Sequence, residues 1–362
     1  MTVNTEFYVP DFKIEINGRT FIHGTTVDII SVSITETTNQ SDSFSITVRE
    51  HNPQPERFAS NQLTWLDNKV FDEGGKIKIE MGYQNNRAVK LYGHITGMSA
   101  SFPESGAPTL AVRGQSFYHQ LHRKTSRKPF DAKTDSDIAR AIAAELNLKS
   151  DIEDIDLEHP LVSPEGATYA SILQERAKRL YYEIAIKEDT LIFRRPTYLV
   201  NTDTELVLVW GESLRSFTPT VHTNNMPSQV DARNTQTAQG GGKQALASSI
   251  QAGQITCRLG ETSGLELAQK IFGESIVLDE DQRIASQAEA NVLPRARMES
   301  RAIEYITGRG SCIGKPELIS RKVVHLKGLG RRFSGKYYVT STTHSIDASG
   351  YRTEFDAKRD GR

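Results

Sequence analysis

The histidines are the first residues to test for chemistry. His119 and His122 stand as HxxH in "YHQLHRK". On one helical face that spacing brings two imidazoles together, as a metal site requires. No cysteine or carboxylate follows at ligand distance, so the expectation is two polar residues in a basic loop and no metal. His344 sits in the middle of "YYVTSTTHSID" with nothing beside it that completes a catalytic set. It is expected to be a sheet-face histidine bonded to a neighbour or to solvent rather than a general base.

The other candidate motifs are incomplete. "GGGKQ" at 240–244 lacks the Ser or Thr that a phosphate loop needs after its lysine, and it follows no clean strand. "GLGRRFSG" has its third glycine misplaced and leads into a strand, so it reads as a turn. "GESLRS" and "GQSFY" lack the second glycine of a nucleophile elbow. The acidic clusters are "DIEDIDLEHP" (Asp151, Glu153, Asp154, Asp156, Glu158) and "LDEDQ" (Asp279, Glu280, Asp281). The first lacks the central glycine and closing glutamate of a calcium loop, and both read as solvated loops. The run "HRKTSRKPF" (Arg123, Lys124, Arg127, Lys128) has no aromatic platform, which argues against nucleic-acid recognition. No catalytic residue, cofactor site or metal site is therefore expected.

The elements around these residues are mostly strands. "KIKIEMGY" alternates, with Ile77, Ile79 and Met81 on one face. "VDIISVSITET" and "DSFSITVRE" alternate too, and an Asn-Gly turn at Asn17 and Gly18 follows the first strand. No helix of any length fits 11–115. From 130 the period changes. "TDSDIARAIAAELNL" opens on a Thr134/Asp137 capping box, and "TYASILQERAKRLYY" has Thr168 as N-cap. "YEIAIKEDTLIFRRP" is a hairpin turning at Glu188 and Asp189. "TAQGGGKQALASSIQAG" has no periodic face and reads as a mobile linker. "GLELAQKIFG" is a short helix, and Pro294 should kink or end the helix around 284–300. From about 301 the chain is β again.

Two stretches echo each other. Near the front comes "KIKIEMGY", then "LYGHITGMSASF", a turn, and "PTLAVRG". Near the end comes "RKVVHLKG", then "FSGKYYVTSTTHS", a turn, and "YRTEFDAKR". Gly93 and Gly335 mark the strand starts, and Gly106 and Gly350 mark the turns. This reads as a duplicated β-domain flanking a small α/β unit. The expected fold class is α+β, mainly β. The domains are 1–120, a first β-barrel; 121–200, an inserted α/β unit; 201–255, a strand segment and mobile linker; and 256–362, helices and a second β-barrel.

Composition bounds the rest. The chain has 362 residues, 25 % charged, with a formal net charge of -1. No global field steers it to nucleic acid or anionic lipid. Its two cysteines, Cys257 and Cys312, lie in no metal-binding spacing, and reduced thiols are expected. "MTVNTEFYVPDF" carries no signal-peptide pattern, so synthesis and folding in a cytoplasm are expected. No run of about 18 apolar residues occurs, so no membrane span is expected.

The ordered set "LYGHITGMSASFPESGAPTLAVRGQSFYHQLHR", "DSDIARAIAAELNL", "TYASILQERAKRLYYEIAIKEDTLIFRRP" and "FSGKYYVTSTTHSIDASGYRTEFDAKR" covers most of the chain. In that order it resembles the baseplate hub proteins of contractile phage tails, the late control D type. It is also similar to the hub portion of type VI secretion and extracellular injection-system spike proteins. The resemblance implies two domains with the fold of tail-tube subunits and a homotrimer whose six barrels dock a hexameric tail tube. Its other face would seat a trimeric spike, with further baseplate proteins around it in a virion tail or injection particle. The sequence stops at Arg362, after the second β-copy, so the spike is expected to be a separate polypeptide. The alternatives are a tail-associated hydrolase using the acidic clusters and a nucleic-acid-binding regulator.

Overall fold

The structure is a computed structural model that describes residues 9–22, 29–50, 63–67, 69–84, 86–126, 129–162, 166–237, 243–280, 284 and 286–362. The calls on Met1–Tyr8, Arg127, Lys128, Gly240–Gly242 and Asp281 lie outside these residues.

Apart from a 3-10 turn at Lys69–Phe71, the regular elements described in the front third are strands: β1 (Pro10–Ile16), β2 (Arg19–Ile22), β3 (Ile29–Thr37), β4 (Ser43–Arg49), β5 (Lys76–Tyr83), β6 (Asn86–Ser101) and β7 (Thr109–Ser116). The period-2 pattern is the cause, since it puts alternate apolar side chains on one face. Ile77, Ile79 and Met81 are buried with Phe12, Ile14, Val32, Ile34 and Val112 in one core. The β1–β2 hairpin turns on Asn17 and Gly18, both at positive φ (47° and 85°), as a primed two-residue turn demands.

The middle holds α1 (His119–Arg123), β8 (Phe130–Thr134), α2 (Asp135–Glu145), β9 (Lys149–Ile152), β10 (Glu158–Val162), α3 (Tyr169–Leu180), β11 (Glu183–Lys187), β12 (Thr190–Arg194) and α4 (Thr197–Val200). The expected caps are present. Thr134 Oγ1 accepts from Asp137 N–H, the Asp137 carboxylate accepts from Thr134 N–H, and Thr168 Oγ1 accepts from Ser171 N–H. The hairpin turns at Glu188, with φ of 54°. Ile138, Ile142, Leu173, Ile184 and Phe193 are buried in a second core.

The rear comprises β13 (Val207–Val209), β14 (Leu214–Val221), β15 (Gln229–Thr237), β16 (Lys243–Gln251), α5 (Gly264–Phe272), β17 (Ile276–Glu280), α6 (Gln287–Ala302), β18 (Ile306–Ile313), β19 (Val323–Lys327), α7 (Gly330–Phe333), β20 (Gly335–Asp347) and β21 (Gly350–Arg359). A third core gathers Leu214, Met298, Leu326, Tyr337, Val339 and Phe355. The fold is thus α+β and mainly β, as the sequence indicated.

Two expectations are corrected here. Within the stretch read as a mobile linker, Lys243–Gln251 form β16, paired antiparallel with β15 over nine rungs from Gln229–Gln251 to Thr237–Lys243. Its apolar residues are few, but Ile250 is buried opposite Val230 and Leu246 is buried opposite Asn234. Pro294 neither ends nor splits α6, which continues to Ala302. Burial of Ala290, Leu293, Pro294 and Met298 outweighs the one backbone hydrogen bond that proline forgoes.

The main sheet has thirteen strands, in the order β14-β18-β21-β20-β3-β4-β7-β6-β5-β1-β2, with β19 and β13 paired off β20. Front and rear halves meet where β3 pairs antiparallel with β20. Among the described residues the path is open, ending at β14 and β2. The strand β14, expected outside the second β-domain, belongs to the rear ladder.

Candidate functional site

The echo in the sequence is an echo in register. In the front half one rung runs Ile34, Phe44, Gly114 and Ile95 across β3, β4, β7 and β6. In the rear half a rung runs Pro219, Gly308, Ala357 and Val339 across β14, β18, β21 and β20. The bulges coincide as well. β3 slips between Ile29 and Ser31 where β14 slips between Leu214 and Ser216. β6 slips between Ile95 and Gly97 where β20 slips between Val339 and Ser341. At the outer edge, Lys76 opposite His94 matches Val323 opposite Tyr338. A bulge re-aims a strand and is a placed feature. Two unrelated meanders have no reason to place two bulges at the same rungs.

The repeat glycines sit as follows. Gly93 is in β6, where an added Cβ would stand 2.0 Å from Gln115 O. The register sets it level with Tyr337, not with Gly335. Gly335, at φ of 141°, lies under the Arg359 guanidinium, which a Cβ would approach to 2.7 Å. Gly106 and Gly350 are at φ of 99° and 106° in the two return turns.

The junction between the halves is a buried polar cluster. Its groups come from β3, the β3–β4 turn, β11, the segment before β19, and β20. Lys187 Nζ reaches the Glu36 carboxylate and lies 3.0 Å from Asp42 Oδ2. Ser320 N–H donates to Glu36 Oε2 at 3.2 Å, and Arg321 donates to Thr37 O at 2.7 Å. His344 is fully buried. Its Nε2–H donates to Leu318 O at 2.9 Å, so Nδ1 accepts, with Tyr351 OH at 2.8 Å and Thr353 Oγ1 at 3.2 Å. Loss of hydration holds the His344 pKa down at about 4, against the opposing pull of Glu36. Burial acts to raise Glu36 too, but Lys187 overrides it and leaves its carboxyl below the usual range. Burial lifts Asp42. The cluster ties front, middle and rear together; it is an ion cluster that locks a packing arrangement.

A cavity of about 960 Å³ adjoins it, lined by Lys187, Arg194, Glu205, Lys315, Arg321 and Lys322 among others. Neither His344 nor the Glu36/Asp42 pair lines it. The candidates from the sequence do not converge there. His119 bonds to His94 (Nε2 to Nδ1, 3.0 Å), while the His122 ring lies tilted against Tyr118, so the HxxH pair points two ways. Both histidines lie in α1, and His119 is buried, which corrects their reading as loop residues. Four carboxylates of the acidic clusters pair with arginines: Asp151 with Arg194, Glu153 with Arg195, Asp154 with Arg140, and Asp279 with Arg297. Among the described residues no group of three His, Cys, Asp or Glu could hold a metal. Cys257 and Cys312 are free thiols, each pushed up to about 12 by burial. No helix among the described residues is long and apolar enough to cross a membrane.

Glu36, Asp42, Lys187 and Arg321 were missed in the sequence. One signal was present: in "SVSITET", Val32 and Ile34 set the inward parity, and Glu36 falls on it.

The fold has solved counterparts. The prophage MuSo2 43 kDa tail protein from Shewanella oneidensis superposes with a TM-score of 0.70 at 12 % identity, covering 97 % of this chain and 98 % of that one. A tail protein from Neisseria meningitidis MC58 gives 0.69 at 13 % identity, over 98 % and 97 %. The E. coli c3393 protein, a type VI secretion system component, gives 0.57 at 12 % identity, over 96 % and 76 %. These likenesses establish the fold. No curated protein matches the sequence. The family model described as the Alg8 N-terminal domain matches residues 7–348, nearly the whole chain, and the chain belongs to that family.

Proposed function

We propose that this chain is a non-enzymatic baseplate hub of a contractile tail or injection machine. Three copies form a ring. Each contributes two matched β modules with the middle α/β unit between them, so the ring offers six similar faces to a hexameric tube. Its other face keeps threefold order and seats a trimeric spike. The observation that carries this reading is the shared register of the two modules, both bulges included. A threefold ring can match a sixfold partner only if each chain carries two equivalent docking units. The fold's counterparts among phage tail proteins and a type VI secretion component support the same setting. A hydrolase reading has less behind it, because Asp151, Glu153, Asp154 and Asp279 of the acidic clusters are paired with arginines. The test is native mass, in solution or in the particle. A multiple of three chains is expected, and a chain that is only monomeric or dimeric at every concentration refutes the hub.

A further inference from the structure

The β3·β20 junction has a counterpart that the chain leaves open. On one side β20 meets two partners: Gly335–Tyr338 pair with β19, and Ser341–Ile346 pair with β3. Its equivalent, β6, pairs with β5 only up to His94. Beyond Gly97, β6 has β7 on one side and, among the described residues, no strand on the other. Likewise β3 lies between β4 and β20, whereas among the described residues its equivalent β14 pairs with the strand β18 alone, apart from an isolated bridge of Leu214 to Trp210, and ends the sheet. One chain thus carries both halves of a second junction, each without its mate.

Exposure follows the same division. Thr342, His344 and Ile346 of β20 are at most 3 % exposed under β3. At the same rungs of the front copy, Met98 is half-buried, Ala100 is exposed and Phe102 is 63 % exposed. Val32 and Ile34 are fully buried, while Phe217 and Val221 of β14 are half-buried.

We propose that β14 of one copy pairs antiparallel with the Gly97–Phe102 stretch of a second copy, in the register of β3·β20. Carrying that register across the repeat sets Phe217 opposite Phe102, Thr218 opposite Ser101, Pro219 opposite Ala100, Thr220 opposite Ser99 and Val221 opposite Met98. The outer hydroxyl rungs recur. Thr35 and Thr343 are 3.0 Å apart at the internal junction, and Thr220 with Ser99 repeats that pair. The inner rungs become apolar: Val221 and Met98 replace Glu36 and Thr342, and Ala100 replaces His344. No charge is buried when this junction forms, which suits a contact made only on assembly. Pro219 takes the place of Ile34 and brings no N–H. Proline is accepted on an edge strand where its nitrogen faces away from the existing partner, so this ladder has one donor fewer than the internal one. A bare strand edge is a template for another chain, and the second copy's own edge is the match the fold specifies. The contact is head-to-tail, so it closes into a ring or extends into a fibre. Closure at three copies rests on the hub reading above.

The test is a cysteine pair, Thr220→Cys with Ser99→Cys, under mild oxidation, read on non-reducing gels beside the native mass. Directly opposed cross-strand positions place Cβ atoms within disulfide reach, about 4 to 5 Å. Covalent three-chain rings are expected. The single variants and the offset pair Thr220→Cys with Ala100→Cys should give none. A three-chain native mass without this crosslink, or equal crosslinking of the offset pair, overturns the register and leaves the hub standing. The crosslink in open ladders with no three-chain species keeps the junction and overturns the hub. Phe102→Glu guards against misfolding: its site is exposed in the chain, so the unfolding midpoint should hold while assembly is lost. Unimpaired assembly of Phe102→Glu counts against the junction.

Discussion

Replacing His344 with Gln should flatten the acid side of this protein's stability curve. In the unfolded chain the imidazole takes a proton near pH 6.5; in the fold it stays neutral until about pH 4. Between those values the unfolded state binds more protons, so falling pH favours unfolding. The stability is fully present above pH 6.5 and is lost toward pH 4. At one pKa unit per ~1.4 kcal/mol, lowering the pH from 7 to 4.5 removes about 2 kcal/mol through this residue alone. His344 is fully buried, so solvent screening takes little from that figure. The charged and titratable groups around it are Glu36, Lys187, Asp42, Arg321, Tyr351 and Glu317. Glu36, held low, removes stability only as pH falls below the usual carboxylate range, and Asp42, held high, acts in the opposite direction. The difference between His344 and His344→Gln isolates the imidazole. Glutamine can still donate to Leu318 O, so the baseline loss is modest, while the titration disappears. Urea unfolding at pH 7.0, 6.0, 5.0 and 4.5, followed by intrinsic fluorescence, reads both chains. If wild type and His344→Gln lose stability in parallel across that range, the buried-neutral assignment is wrong.

Three further substitutions probe the junction and the repeat. Lys187→Met leaves Glu36 and Asp42 buried without their shared cation, and should destabilise by about 3 to 5 kcal/mol in urea unfolding; a loss below about 1 kcal/mol would show that Arg321 alone suffices. Gly114→Ala puts a Cβ 2.2 Å from His94 O and 2.4 Å from the Phe44 ring, and should lower stability by about 1 to 3 kcal/mol. Its repeat partner Ala357 already carries that methyl, so Ala357→Gly should cost only about 1 kcal/mol by comparison. A neutral Gly114→Ala would mean that the close approach of β6 and β7 is not required.

Much of the fold was legible because it is local. The caps at Thr134 and Thr168, the Asn17–Gly18 turn and the alternation of β5 each depend on residues a few positions apart. The duplication was legible too, but only its order. Its alignment on glycines ran two residues off, because Gly93 and Gly335 answer to different close approaches, one to Gln115 O and one to Arg359. The segments that failed are those where tertiary packing overrides local preference. The β16 strand is small and polar and is held by β15 and α6. Pro294 survives inside a helix whose inner face is buried.

By itself the sequence determined that this is a mainly β chain with two similar sheet units, an α/β unit between them, and no complete catalytic motif. Side-chain period, caps and turns are short-range, and they leave a readable trace. Only the tertiary structure decided that β3 and β20 join the two units, that Glu36, Asp42, Lys187, Arg321 and His344 meet at their seam, and that, among the described residues, β14 and the end of β6 beyond Gly97 lack a second strand. Those contacts link residues 145 to 308 positions apart. Nothing in a local pattern records which distant strand will supply the missing ladder or the compensating charge.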